Sequence, residues 1–284
     1  LKVLNYKHSL GLHDFTPLNE HNVEADLNST AAKFINYKLI EQELCLVKDD
    51  QSILPLNAKD NKRVFSVAIG NGIKTTFQRE LERMGNVKTA SISKNATASQ
   101  FAAIQAQMYD YDVSIVSVHN TSKYPPNYGI TTATASFVNS LSAIKNVVLV
   151  DFGNPYNLKK FKNQKTLLLA YEDLEENNIK AAQAIYGVIG VNGTLPISVG
   201  EEYSASMGVT TLPIGELNSA RPEEVGMSST RLAKIDQIAN RAVSSGATPG
   251  CQVLVAKNGR IVYEKSFGTH TFNSSQKVQN SDLY

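Results

Sequence analysis

Histidine, carboxylate and carboxamide side chains that fall where strands of a parallel sheet would end are the first candidates for chemistry in this sequence. His119 follows the β-branched run Val113–Val118 and so has the position of a catalytic base. The other histidines, His8, His13, His21 and His270, do not follow a strand of the expected parallel sheet. No serine or cysteine in a nucleophile-elbow context accompanies His119, which favours a histidine satisfied inside the fold. Asp151-Phe152-Gly153-Asn154-Pro155-Tyr156 closes another apolar run, where open parallel sheets place their ligands. Asn154 and Tyr156 are suited to hydrogen-bonding a sugar hydroxyl; the competing role is a turn held by Gly153 and Pro155 with Tyr156 packed beneath. Glu172 and Asp173 follow the next run and add carboxylates to the same edge. Glycoside hydrolysis needs two carboxyl groups flanking one bond. Neighbours on an extended segment point apart, so the expected role of this pair is to face the positive end of the next helix.

Gly70-Asn71-Gly72 stands where a phosphate-binding loop would lie between a strand and a helix. Thr75 replaces the third glycine, and the second strand ends in Ser93-Lys94 instead of a ribose-binding carboxylate. A tight turn is expected there. Cys45 and Cys251 have no partner at metal-ligand spacing, so both read as small apolar residues, and no metal or cofactor is expected.

The elements that must position these residues alternate. Short β-branched runs at Val64–Ile69, Val87–Ile92, Val113–Val118, Val147–Phe152 and Thr166–Ala170 are separated by helix-like stretches at Thr75–Met84, Ser99–Tyr109, Thr132–Ile144, Tyr156–Phe161 and Glu175–Ile189. Near-continuous apolar strands joined by helical crossovers predict an α/β fold, a mainly parallel sheet sandwiched between helices. Val147-Val148-Leu149-Val150 has no polar face and should be central. Ahead of this, Ser29 or Thr30 caps a predicted helix from Ala31 to about Val47, with Phe34, Tyr37, Ile40, Leu44 and Val47 at spacings of three and four.

The alternation stops near Val199. A loop with Gly200, Gly208, Pro213 and Gly215 leads to a linker at Arg221-Pro222-Glu223. Ser228 or Ser229 then caps a helix to about Val243, which Gly246 ends. Asn258-Gly259 between Cys251–Ala256 and Ile261–Phe267 predicts a short C-terminal β-hairpin. One helix and one hairpin do not make a core, so this second domain is expected to be incomplete or to pack on the first. The expected divisions are a lead-in segment and helix over 1–60, the sandwich over 61–215, and the linker with a truncated second domain over 216–284.

The 284 residues carry 28 basic and 26 acidic side chains, a formal net charge of +2, which gives no electrostatic case for nucleic acid or an anionic membrane as partner. No run is apolar enough to span a bilayer. With 42% hydrophobic residues the chain can bury a core, which excludes disorder and coiled coil as whole-chain descriptions.

Several short motifs in order resemble the C-terminal α/β sandwich domain of glycoside hydrolase family 3. They are Leu46-Val47-Lys48-Asp49 with Ile53-Leu54-Pro55-Leu56, Gly153-Asn154-Pro155-Tyr156, Ala170-Tyr171-Glu172, Ala181–Gly187 and Gly193–Val199. The resemblance covers about residues 1 to 213 and looks closest to the β-N-acetylglucosaminidase branch. Arg221–Ser228, the hairpin and Ser266-Phe267-Gly268 resemble the opening of a serine β-lactamase-like domain. The resemblance implies a parent protein that hydrolyses β-linked amino-sugar glycans, in a periplasmic or extracellular setting. It implies intramolecular packing against an N-terminal (β/α)8 barrel that carries the glycosidase nucleophile, and a Ser-x-x-Lys motif expected after Tyr284. This chain is then expected to lack both catalytic centres and to contain no catalytic residue. The weak substrate contacts expected are Asn154, Tyr156, His119 and Glu172. The competing expectation is a non-catalytic glycan-binding or scaffolding module.

Overall fold

The computed structural model describes residues 1–14, 20–214 and 218–282. The expected domain division at 215/216, together with Gly215, lies outside the described residues, as do Leu283 and Tyr284. Helices α1 (Lys2–Ser9), α2 (Val23–Leu27) and α3 (Thr30–Glu43) lead into strand β1 (Cys45–Asp49). There follow β2 (Val64–Gly70), α4 (Thr76–Met84), β3 (Val87–Ser93), α5 (Ala98–Met108), β4 (Val113–Val118), α6 (Thr132–Ser140), β5 (Val147–Asp151), β6 (Thr166–Leu169) and α7 (Glu175–Ile185). A 3-10 turn, Pro155–Lys160, joins β5 to β6 where a helix-like stretch is expected.

These strands form one six-stranded sheet in the order β1-β6-β5-β4-β2-β3. Strands β2 to β6 are parallel, and β1 runs antiparallel against β6. The expected α/β sandwich is therefore observed, with β5 in its interior. Alternate side chains feed two cores. Phe65, Val67, Ile69, Val116, Val118 and Leu149 pack under α5 and α6. Val64, Ile115, Val148, Val150 and Leu168 pack under α4 and α7, with Phe77, Leu81, Ala181 and Ile185.

The predicted helix through Val47 stops at Glu43. Leu44 and Leu46 enter one core while Cys45 and Val47 enter the other, a period of two that overrides the helical spacing. The outer edge of β1 is covered by a returning segment, with Val209 N–H donating to the Leu46 carbonyl at 2.7 Å. The helix predicted through Ile189 ends at Ile185, just before Gly187 at φ +63°.

A separate three-stranded sheet, β7-β9-β8, holds the predicted hairpin. It consists of β7 (Asn218–Ser219), β8 (Gly250–Lys257) and β9 (Arg260–Gly268), flanked by α8 (Ser229–Leu232) and α9 (Lys234–Ser244). Asn258 (φ +54°) and Gly259 (φ +74°) both adopt the left-handed conformation the turn requires. Gly259→Ala is expected to cost about 1–2 kcal/mol through the Cβ it adds at positive φ, a loss that urea unfolding reads directly.

A buried ionic network joins the two sheets. Lys180 Nζ, fully buried on α7, lies 2.7 Å from Glu41 Oε1 on α3 and 2.6 Å from Glu224 Oε2 in the turn before α8. Gln183 Nε2 donates to the same Glu224 oxygen at 2.7 Å, and Arg260 of β9 reaches Glu41 at 3.0 Å. Burial works against both carboxylates, but the Lys180 charge and the surrounding donors outweigh it. Glu41 is held down at about 2, and Glu224 is lowered as well.

Candidate functional site

The strand order reverses at β2. The chain steps outward to β3, then returns past β2 to β4, β5 and β6, so the carboxyl ends of β2 and β4 border a crevice. Its volume is about 270 Å3, and its walls include Asn71, Lys74, Arg79, His119, Asn120 and Asp173. Gly70 permits the close approach of the two strand ends, because a Cβ there would lie 3.1 Å from the His119 Cβ. The Gly70–Gly72 segment is the tight turn expected, with Gly72 at φ +74°. Thr75 caps α4 in a reciprocal pair with Gln78, and the Arg79 guanidinium donates to the Lys74 carbonyl at 3.1 Å and to Thr76 Oγ1 at 2.8 Å.

His119 and Asp173 meet at the back of this crevice, His119 Nδ1 lying 2.8 Å from Asp173 Oδ1. Asp173 Oδ2 accepts from the Asn120 N–H at 2.9 Å, and Asn178 Nδ2 donates to Oδ1 at 3.0 Å. Burial alone would raise the Asp173 carboxyl, but these donors outweigh it and hold the group below the usual carboxylate range. Asp173 is therefore the anion of the pair, and Nδ1–H the donor. The expectation that Glu172 and Asp173 face the start of a helix is corrected here. Glu175 and Glu176 occupy the first turn of α7, while Asp173 turns back to β4.

The other ring nitrogen, Nε2, lies 2.9 Å from Ser117 Oγ. The three side chains thus form a Ser–His–Asp chain not anticipated from the sequence. Ser117, within β4, and His119, just past its end, are two apart on an extended segment and share a face, a signal legible in principle. Ser117 is fully buried within β4, however, and its hydroxyl also lies 3.4 Å from the Val67 carbonyl. A serine nucleophile needs an accessible Oγ beside an oxyanion site, and Ser117 has no access. His119 is 5% exposed, stacked on Phe152 at 4.4 Å with Phe77 beyond it. Both ring nitrogens are satisfied inside the protein, so the ring positions Asp173, which in turn holds the Asn120 N–H at the crevice wall.

Asn154 and Tyr156 lie on the neighbouring strand end. Asn154 Oδ1 accepts from the Tyr156 N–H at 2.9 Å, and Nδ2 donates to the Ser122 carbonyl at 3.4 Å. Its carboxamide thus pins two turns together. Tyr156 is not packed beneath the turn: it is 42% exposed, its ring nearly parallel to Tyr128 with centroids 5.8 Å apart. Glu172 is exposed near Glu43. The Glu43 carboxyl is raised by partial burial and then by the Glu172 charge, against the hydrogen bond from Asn177. The four residues named from sequence therefore all lie at the carboxyl edge of the sheet, but only His119 lines the crevice.

Cys45 is buried, and burial pushes its thiol up to about 11, which suits a small core residue. Among the described residues no cluster of histidine, cysteine and acidic side chains could hold a metal ion. Among them, too, no helix is long and apolar enough to cross a membrane.

Comparison with solved structures finds this fold within glycosidases. A β-glucosidase from Listeria innocua, solved with isofagomine, matches 69% of this chain and 31% of its own at a TM-score of 0.56 and 15% identity. A fungal multi-domain GH3 β-N-acetylglucosaminidase matches 66% of this chain and 21% of its own at a TM-score of 0.52 and 17% identity. The fold is what they share. The chain spans between about a fifth and a third of the length of these proteins. No family model and no curated protein matches the sequence.

Proposed function

We propose that this chain is the accessory α/β sandwich of a glycoside hydrolase of the family 3 kind, and that its parent protein hydrolyses β-linked N-acetylhexosaminides. The observation that carries this reading is the fold, which recurs as part of glycosidases at TM-scores above 0.5. The sandwich occupies 61–215 after a lead-in segment over 1–60, and 216–284 opens a serine β-lactamase-like domain. The sandwich packs beside a barrel that carries the nucleophile, in a periplasmic or extracellular setting. The site geometry agrees with an accessory role. Asp173 and His119 hold each other, Ser117 is inaccessible, and retaining or inverting hydrolysis needs an accessible carboxyl pair.

The chain by itself is expected to give no turnover of a chromogenic N-acetylglucosaminide or of an activated ester. Saturable turnover by the purified 284-residue chain, abolished by His119→Ala or Asp173→Asn, would overturn the reading. A second reading, a glycan-binding module, is favoured by the exposed Tyr156 ring beside Tyr128, since aromatic faces are the apolar part of amphipathic binding surfaces. Calorimetric titration with a chitin-type oligosaccharide separates the two: binding lost in Tyr156→Ala supports the module.

A further inference from the structure

We propose that Asp151 is carried as a neutral carboxylic acid whose proton is donated to the Asn157 carboxamide, and that loss of this proton releases the Gly153–Tyr156 turn. Asp151, at the end of β5, and Asn157, in the 3-10 turn beyond it, are both fully buried. Asn157 Nδ2 donates to Asp151 Oδ1 at 3.1 Å. The remaining oxygens, Asp151 Oδ2 and Asn157 Oδ1, are buried with no hydrogen-bond partner. Two orphaned acceptors side by side are costly, and neither can satisfy the other while Asp151 is ionised. One proton on Oδ2 repairs both, because the acid O–H then donates to Asn157 Oδ1 and closes a two-bond acid–amide pair. Reversing the Asn157 amide does not remove the need, since its oxygen would then face Asp151 directly.

Among the described residues no charge acts on Asp151 that would hold the anion. In register with Asp151 are Val118 on β4 and Leu169 on β6. Cys45, Tyr111, Tyr171 and Tyr203 are titratable groups of the same core; burial raises Cys45 to about 11 and Tyr171 to about 12 and raises Tyr203 as well, so these three stay neutral. His119 belongs to the opposite face, stacked on Phe152. Lys159 and Lys160, in the turn itself, are exposed to solvent. Burial pushes the Asp151 carboxyl up to about 7, against the one hydrogen bond from Asn157.

The pair also fixes the backbone between its two members. A Cβ on Gly153 would lie 2.0 Å from Asn157 Nδ2, so this residue must be glycine for the carboxamide to reach Asp151. Asn157 N–H donates to the Asn154 carbonyl at 3.0 Å, which links the buried pair to the turn carrying Asn154 and Tyr156. Deprotonation breaks this chain from below.

The test compares the 284-residue protein with Asp151→Asn, which reproduces the neutral pair by donating an amide N–H to Asn157 Oδ1. Between pH 5 and 7 the ratio of their unfolding constants is expected to change about tenfold per pH unit, in favour of the variant as pH rises. At pH 6 the infrared spectrum of the unsubstituted protein should contain a protonated-carboxyl stretch that the variant lacks. A pH-independent ratio and no such band would overturn the proposal. Should the variant not fold, carbon-13 titration of aspartate carboxyls in the unsubstituted protein decides: a group titrating near 7 supports the pair, and none above the ordinary range rejects it. Amide exchange at Tyr156 and Asn157, corrected for intrinsic rate, should accelerate above pH 7. Unchanged protection there would reject the release of the turn.

Discussion

Replacing Lys180 with methionine is expected to remove about 3–5 kcal/mol of folding stability, the largest loss we anticipate from any single charged residue here. The substitution keeps the volume and deletes the ammonium, leaving Glu41 and Glu224 facing each other in a buried site. Arg260 remains 3.0 Å from Glu41 and 3.7 Å from Glu224 and offsets part of the loss. Urea unfolding measures it. The double variant Lys180→Met, Glu224→Leu should recover part of the deficit, because it removes an unpaired buried charge along with its partner. A deficit unchanged or enlarged in the double variant would mean that packing around the aliphatic stem of Lys180, not charge pairing, is what matters. The pH dependence has a fixed sign. Glu41 is lowered from 4.5 to about 2, so its contribution is complete above about 4.5 and is lost as pH falls toward 2. In Lys180→Met that acid-side loss should shrink.

Phe77→Ala is the second large effect, expected at about 3–5 kcal/mol. Phe77 is fully buried on α4 and meets Phe152 edge-to-face at 5.3 Å, with the His119 ring 6.4 Å away. The two phenylalanines form a floor beneath His119, which itself lines the β2/β4 crevice. Removing one leaves a cavity under His119, so a fall in stability should be accompanied by loosening of the His119–Asp173 contact. The His119 ring resonances read this independently of unfolding. A stability loss with unchanged His119 resonances would separate the floor from the crevice.

How far the sequence reveals such features depends on the range of the interaction. Strand β4 was legible to the residue, because a β-branched run at Val113–Val118 buried on both faces has no competing pattern. The Asn258-Gly259 turn was legible for the same local reason, and so were the caps to within one residue: Ser29 or Thr30, and Ser228 or Ser229, of which the fold uses Ser29 and Ser228. Strand β1 was not. Leu44 and Val47 continue the spacing of α3, and only the presence of two cores decides that Cys45–Asp49 is extended. The edge location of His119, Asn154, Tyr156 and Glu172 followed from strand ends, whereas their partners did not. His119 meets Asp173 from 54 residues away, and Lys180 meets Glu41 from 139. No periodicity within a segment encodes those encounters. Packing of Tyr156 beneath its turn was the reading favoured over a sugar contact; its ring instead faces solvent, a matter of which side the 3-10 turn presents.

The antiparallel pairing of β1 with β6 sets a timetable for synthesis. Cys45 is synthesised more than a hundred residues before its partner Leu169, so β1 cannot join the sheet until β6, the last strand of that sheet, has been made. Over that interval Leu44-Cys45-Leu46-Val47 is an apolar segment with no strand beside it, the kind of sequence that recruits another chain. The returning segment that later covers its outer edge, through Val209, is made later still. Lys48-Asp49-Asp50, directly after the run, places charge where a nascent chain needs a gatekeeper.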